Sequence, residues 1–213
     1  TVSLEQGIAR VALNRPDKAN AINLRMWDEL RASMLWLTRT ESARVGILEA
    51  RGRHFCAGLD LDTFDELRQL TADGCEGRAR ERLRDHILDI QDTVTAFERC
   101  PKPVIASVHA ACVGGGIDII AACDLRYASA HAWFCVKEID VGLVADVGTL
   151  QRLPRLVGEG LAREMALTGR RVDGPEAQEI RLVNRCFESN DALNEGVDAV
   201  ARSLAGKSPL AMR

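Results

Sequence analysis

Apolar residues alternate with polar or small ones along Ile8-Ala9-Arg10-Val11-Ala12-Leu13-Asn14, and the run ends at the turn-forming Arg15-Pro16-Asp17-Lys18. That is the rhythm of a half-buried strand entering a loop. From Asn23 the spacing lengthens: Met26, Leu30, Met34 and Leu37 recur three and four residues apart, which predicts an amphipathic helix capped by Asn23. Val45 to Ala50 then predicts a second strand. Arg51 to Gly58 is a polar connection, and the acidic, irregular stretch from Leu59 to Gly77 predicts a loop with short helical pieces. Leu83, Ile87, Ile90, Val94 and Phe97 restore the helical period until Cys100-Pro101-Lys102-Pro103 stops it, and Val104 to His109 predicts a buried strand.

Gly114-Gly115-Gly116 follows that strand and opens a second helical run, Ile117 to Cys123. Strands are expected at Leu125 to Ala128, Trp133 to Val136 and Val183 to Phe187. Helices are expected over Leu150 to Leu156, Glu159 to Thr168, Pro175 to Arg181 and Asp191 to Leu204. Strands alternating with helices imply an α/β fold, and without a linker or an internal repeat the expectation is one domain over residues 1–213.

Composition narrows the function classes. A hydrophobic fraction of 46%, a charged fraction of 28% and a net charge of -3 suit an ordinary globular chain and give no basic footprint for nucleic acid. No apolar run approaches the roughly 20 residues of a membrane span. Seven scattered cysteines, odd in number and never closely paired, read as reduced thiols rather than a disulfide framework or a metal site. The chain starts at Thr1 with strand material and shows no targeting segment, which leaves the compartment open: cytoplasm for a bacterial chain, mitochondrion or peroxisome for a eukaryotic one.

The triple glycine fits neither a dinucleotide fingerprint nor a P-loop. It has two readings, close packing of a helix start against a strand, or close approach of a ligand to backbone amides. Phe55-Cys56-Ala57-Gly58-Leu59-Asp60 is a second strand-to-turn join, so amides from two loops could converge on one oxygen.

In order along the chain, Asn14-Arg15-Pro16 with Lys18-Ala19-Asn20-Ala21, Phe55 to Asp60, and Pro103-Val104-Ile105-Ala106 leading to Gly114-Gly115-Gly116 resemble the crotonase (enoyl-CoA hydratase/isomerase) superfamily. The similarity runs over essentially the whole chain. It implies a spiral of strand-strand-helix repeats, assembly as trimers or hexamers, an acyl-CoA thioester substrate, and no further cofactor because coenzyme A arrives with the substrate. It also implies that relatives continue past Arg213 with C-terminal helices. By the same resemblance the amides of Leu59 and Gly115 form an oxyanion hole, and Lys18, Ala19, Ala57, Gly58, Asp60 and Leu61 join them in holding the substrate. Two amides aimed in advance at the thioester oxygen suit chemistry that begins by removing a proton from carbon 2.

Three acids place the resemblance near the dienoyl-CoA isomerase branch: Asp118, Glu138 and Asp146. Moving double bonds from 3,5-dienoyl-CoA to 2,4-dienoyl-CoA takes a proton from carbon 2 and delivers one to carbon 6, which asks for two acid/base groups. Glu138 and Asp146 are the candidates, with Asp146 as base and Glu138 as acid, and Asp118 would stabilise the dienolate. Each acid also has a structural reading: Asp118 as a partner of its own helix dipole, Glu138 as a solvated pair with Lys137, Asp146 as a turn or cap. The rivals are an enoyl-CoA hydratase using Asp118 and Glu138, and a non-catalytic crotonase-fold module that binds RNA. His54, His86, His109 and His131 lack metal-ligand spacing, and Trp27, Trp36 and Trp133 read as packing residues.

Overall fold

A computed structural model describes residues 1–70 and 72–212. Strands β1 (Val2–Glu5) and β2 (Ile8–Leu13) form a hairpin in which Glu5 pairs with Ile8 across Gln6-Gly7. Both turn residues have positive φ, the geometry that matches the strands' own twist. Helix α1 (Leu24–Arg39) follows, and the Asn23 side chain accepts from the Met26 amide as expected of its cap. Then come β3 (Val45–Ala50), α2 (Thr63–Leu70), α3 (Glu76–Glu98) and β4 (Val104–Val108). The remaining elements are β5 (Ala111–Val113), α4 (Gly115–Ala121), β6 (Leu125–Ser129), β7 (Trp133–Cys135), α5 (Thr149–Val157), α6 (Glu159–Thr168), β8 (Val172–Asp173), α7 (Gly174–Glu179), β9 (Arg185–Phe187) and α8 (Asn190–Ala205).

The large sheet runs β1-β2-β3-β4-β6-β9 and is parallel from β2 onward. Both of its faces are covered, which explains why β3 and β4 are continuous apolar runs. Val104, Ala106 and Val108 face the core shared with α1, α3 and α4, whereas Val45, Ile47 and Ile105 pack with Leu193, Val197 and Ala201 of α8. A smaller sheet, β5-β7-β8, lies beside it. The chain passes from large sheet to small sheet to helix twice, as β4-β5-α4 and as β6-β7-α5, and this winding is the strand-strand-helix spiral that the resemblance implies.

Several elements differ from expectation. Helix α3 starts at Glu76, well before Leu83, because its first turns are solvated and held by helix-forming Arg, Ala and Glu residues that leave no apolar period to read. Strands β5 and β8, of three and two residues, are too short for any periodicity. Helix α4 begins at Gly115 rather than Ile117, so the second and third glycines are its first turn.

Candidate active site

The site is assembled by a buried asparagine. Asn20 is 0% exposed; its amide nitrogen donates to the carbonyls of Arg51 and His54, both at 2.8 Å, and its oxygen accepts from the Arg15 amide at 2.8 Å. It thereby ties the loop after β2 to the loop after β3, at the cost of positive φ at both Ala19 and Asn20. The Ala57 amide donates to Ala19 O at 3.0 Å, and Arg15 forms an ion pair with buried Asp60 at 2.8 Å.

The second loop is then zipped onto β5. Cys56 N donates to Ala111 O at 2.9 Å and Val113 N to Cys56 O at 3.0 Å, a parallel bridge between Cys56 and Cys112. This brings the two glycine turns into contact. A Cβ on Gly58, where φ is +95°, would lie 3.2 Å from Val113 O, and one on Gly114 would lie 3.7 Å from the Gly58 Cα. Flanking amides are used, Asp60 N on Ile22 O at 2.9 Å and Ile117 N on Gly114 O at 2.7 Å. Among the described residues the Leu59 and Gly115 amides have no acceptor, so two unspent donors stand on adjacent turns.

Each of the three acids has a distinct environment. Asp118, on α4, is 1% exposed, and its Oδ1 accepts from both the Thr149 amide at 2.6 Å and the Thr149 hydroxyl at 2.7 Å. It therefore caps α5 from another helix rather than serving its own. Burial pushes its pKa up to about 7 against those two hydrogen bonds, and repulsion from Glu138 and Asp146 acts in the same direction as burial. Glu138 opens the 3-10 turn Glu138–Val141 after β7; its Oε2 is buried with no hydrogen-bond partner, and its Oε1 lies against Gly114. Lys137 pairs with Asp140 instead, so the solvated Glu138–Lys137 pair is corrected. Burial raises the Glu138 pKa, and the Asp146 charge raises it further. Asp146 is exposed, and its carbonyl is held by Gln91 Nε2 of α3 at 2.7 Å.

All three line a cavity of about 700 Å³, together with Ala57, Gly58, Leu59, Leu61 and Gly115. Most of its wall is apolar: Phe64 and Leu67 of α2, Leu83, Ile87 and Ile90 of α3, and Val141, Leu143 and Val144 of the loop carrying the acids. Leu61 at 67% and Val144 at 66% exposure are large hydrophobic side chains open at a ligand-sized cavity, which suits an acyl chain. Lys18, Ala19 and Asp60 do not line it: Lys18 is exposed and 3.4 Å from Asp62, and Asp60 is engaged by Arg15. A second hollow of about 630 Å³, between the β1–β2 hairpin and α1, contains none of the sequence-predicted residues. Thr149, Gln91 and Thr63 escaped the sequence reading, and only the acid partners of the first two make them visible. Trp27 packs in the core as expected and also borders the cavity, as does His86.

Comparison with known proteins agrees with this architecture. The family profile described as Enoyl-CoA hydratase/isomerase matches residues 3–213. The chain belongs to that family. It is 43% identical, over 98% of its length, to the peroxisomal Delta(3,5)-Delta(2,4)-dienoyl-CoA isomerase of Arabidopsis thaliana, and covers 75% of that protein. It is 40% identical, over 99% of its length, to the mitochondrial Delta(3,5)-Delta(2,4)-dienoyl-CoA isomerase of Mus musculus, and spans 65% of it. Its crotonase fold superimposes on the enoyl-CoA hydratase of Bacillus anthracis with a TM-score of 0.87 at 32% identity, covering 100% of this chain and 78% of that one. A Thermobifida fusca YX protein solved in complex with acetoacetyl-CoA matches with a TM-score of 0.88 at 30% identity, covering 100% of this chain and 82% of that one. Among the described residues of this family member, no helix is long and apolar enough to cross a membrane.

Proposed function

We propose that this enoyl-CoA hydratase/isomerase family member is a dienoyl-CoA isomerase, converting 3,5-dienoyl-CoA to 2,4-dienoyl-CoA in the oxidation of unsaturated fatty acids. The observation that carries the reading is that Asp118, Glu138 and Asp146 line one apolar cavity beside two amides without acceptors. The Leu59 and Gly115 amides take the thioester oxygen as charge develops on it. Asp146 removes the proton from carbon 2, and Glu138, held toward its protonated form by burial and by the Asp146 charge, delivers one to carbon 6. Asp118, fixed by Thr149, responds to the charge of the dienolate rather than exchanging with substrate. The dienoyl-CoA isomerase names of the Arabidopsis and mouse relatives support this choice.

Hydration of a 2-enoyl thioester is the second reading, favoured by the hydratase from Bacillus anthracis that shares the fold. The test is to supply crotonyl-CoA and a 3,5-dienoyl-CoA in parallel. Appearance of the conjugated 2,4-dienoyl chromophore with slow hydration of crotonyl-CoA is expected, and efficient hydration without isomerisation would overturn the proposal.

A further inference from the structure

Asp146 differs from the other two acids in how it is held. Thr149 grips the Asp118 carboxyl and burial encloses that of Glu138, whereas the exposed Asp146 carboxyl has no hydrogen-bond or ion-pair partner among the described residues. Its place at the cavity is therefore set through its main chain. The Asp146 amide donates to Val144 O at 2.8 Å within its own loop, and the Asp146 carbonyl accepts from Gln91 Nε2 of α3 at 2.7 Å. Among the described residues no other hydrogen bond joins residues 144–147 to another element. Ala145 and Val147 on either side pack into the core and fix the depth of the loop, which leaves the tilt of the peptide between them to Gln91.

Gln91 belongs to a row of polar residues. Gln91, Thr95 and Glu98 lie four and three residues apart, on one face of α3. Thr95 Oγ1 and Glu98 Oε2 accept from Arg152 Nη2 of α5 at 3.4 and 2.8 Å, and the Arg152 guanidinium stands so close over Gly148 that a Cβ there would lie 1.9 Å from Nη1. The segment from Asp146 to Arg152 is thus pinned to α3 at both ends, with Thr149 between them holding Asp118. The same helix contributes Leu83, Ile87 and Ile90 to the apolar wall of the cavity, so the surface that receives the acyl chain and the hold on Asp146 are one rigid element.

We infer that Gln91 is a positioning residue for the reaction: its hydrogen bond to the Asp146 main chain aims the Asp146 carboxyl at the acyl chain lying along α3. This deepens the dienoyl-CoA isomerase reading and rests on Asp146 as the base at carbon 2. A carboxyl without side-chain partners has no other means of being held in line with a C–H bond, and misplacing a reacting group by an ångström costs up to about 100-fold in rate.

The experiment compares the parent, Gln91→Met, Asp146→Asn and the double variant by single-turnover conversion of a 3,5-dienoyl-CoA, and by equilibrium binding of saturated decanoyl-CoA, which undergoes no double-bond shift. Methionine keeps the length and helix propensity of glutamine and offers no donor. Gln91→Met is expected to slow turnover about tenfold, with decanoyl-CoA affinity and thermal midpoint matching the parent's. In the Asp146→Asn background the same substitution should change the residual rate less than about twofold, because no base is left to aim. A Gln91→Met rate within about twofold of the parent's overturns the inference. So does an equal loss in both backgrounds, or a loss of decanoyl-CoA binding, since either makes Gln91 a support of the cavity rather than of Asp146. Near-parental turnover by Asp146→Asn alone would instead overturn the reading of Asp146 as base, and the inference with it.

Discussion

Thr149 closes on a single oxygen of Asp118 with both its amide, at 2.6 Å, and its hydroxyl, at 2.7 Å. One acid of the cavity is thereby locked to the first turn of α5, while the adjoining Glu138 leaves an oxygen unpaired. Thr149→Val keeps the shape and removes one donor from a carboxylate that has few alternatives. We expect a loss of about 1–3 kcal/mol in denaturant unfolding, larger above neutral pH where Asp118 carries its charge.

The pH dependence of stability follows from the same residue. Asp118 has a folded pKa raised from 3.8 to about 7, so between those values the folded state binds more protons than the unfolded one. Its contribution is complete below about pH 4 and is lost as pH rises through about 7, on the order of a few kcal/mol. Asp118→Asn retains an acceptor for Thr149 and cannot ionise. Unfolding curves from pH 5 to 8 should therefore fall less steeply for Asp118→Asn than for the parent.

Gly58 has φ of +95° and faces Val113 O across 3.2 Å, so a methyl there strains the turn and pushes it away from β5. The Leu59 amide moves with it. Gly58→Ala should reduce kcat/KM on the order of 100-fold, the scale of losing one oxyanion donor. Gly160 has open space around its Cβ position and should tolerate alanine without loss of rate. Steady-state kinetics of the two variants separate alignment from a general effect of substitution.

Asn20 satisfies three backbone groups from two loops. Asn20→Ala should destabilise the chain by roughly 2–4 kcal/mol and raise KM for acyl-CoA, since the Lys18-Ala19 turn and the Ala57 loop lose their common anchor. Calorimetry and KM determination on one preparation would check both.

Periodicity carried the longer elements because burial on one face leaves a repeating mark: β3 appears with both its expected ends, and Asn23 caps α1 as its side chain predicts. The candidate site was legible at the glycine turns and the three acids, which the structure gathers around one cavity. Thr149, Gln91 and Asn20 act through contacts between residues 31, 55 and up to 34 positions apart, which no local pattern encodes. Asp118 illustrates the limit. Its position at a helix start suggested service to its own helix, and tertiary packing turned it to cap another.

Deuterium incorporation from D2O into a 3,5-dienoyl-CoA, followed alongside isomerisation for Glu138→Gln and Asp146→Asn, tests the two-carboxyl mechanism most directly. Glu138→Gln should still exchange the carbon 2 hydrogen while product formation falls on the order of 100-fold or more, and Asp146→Asn should lose both. Near-parental isomerisation by both folded variants would contradict the account.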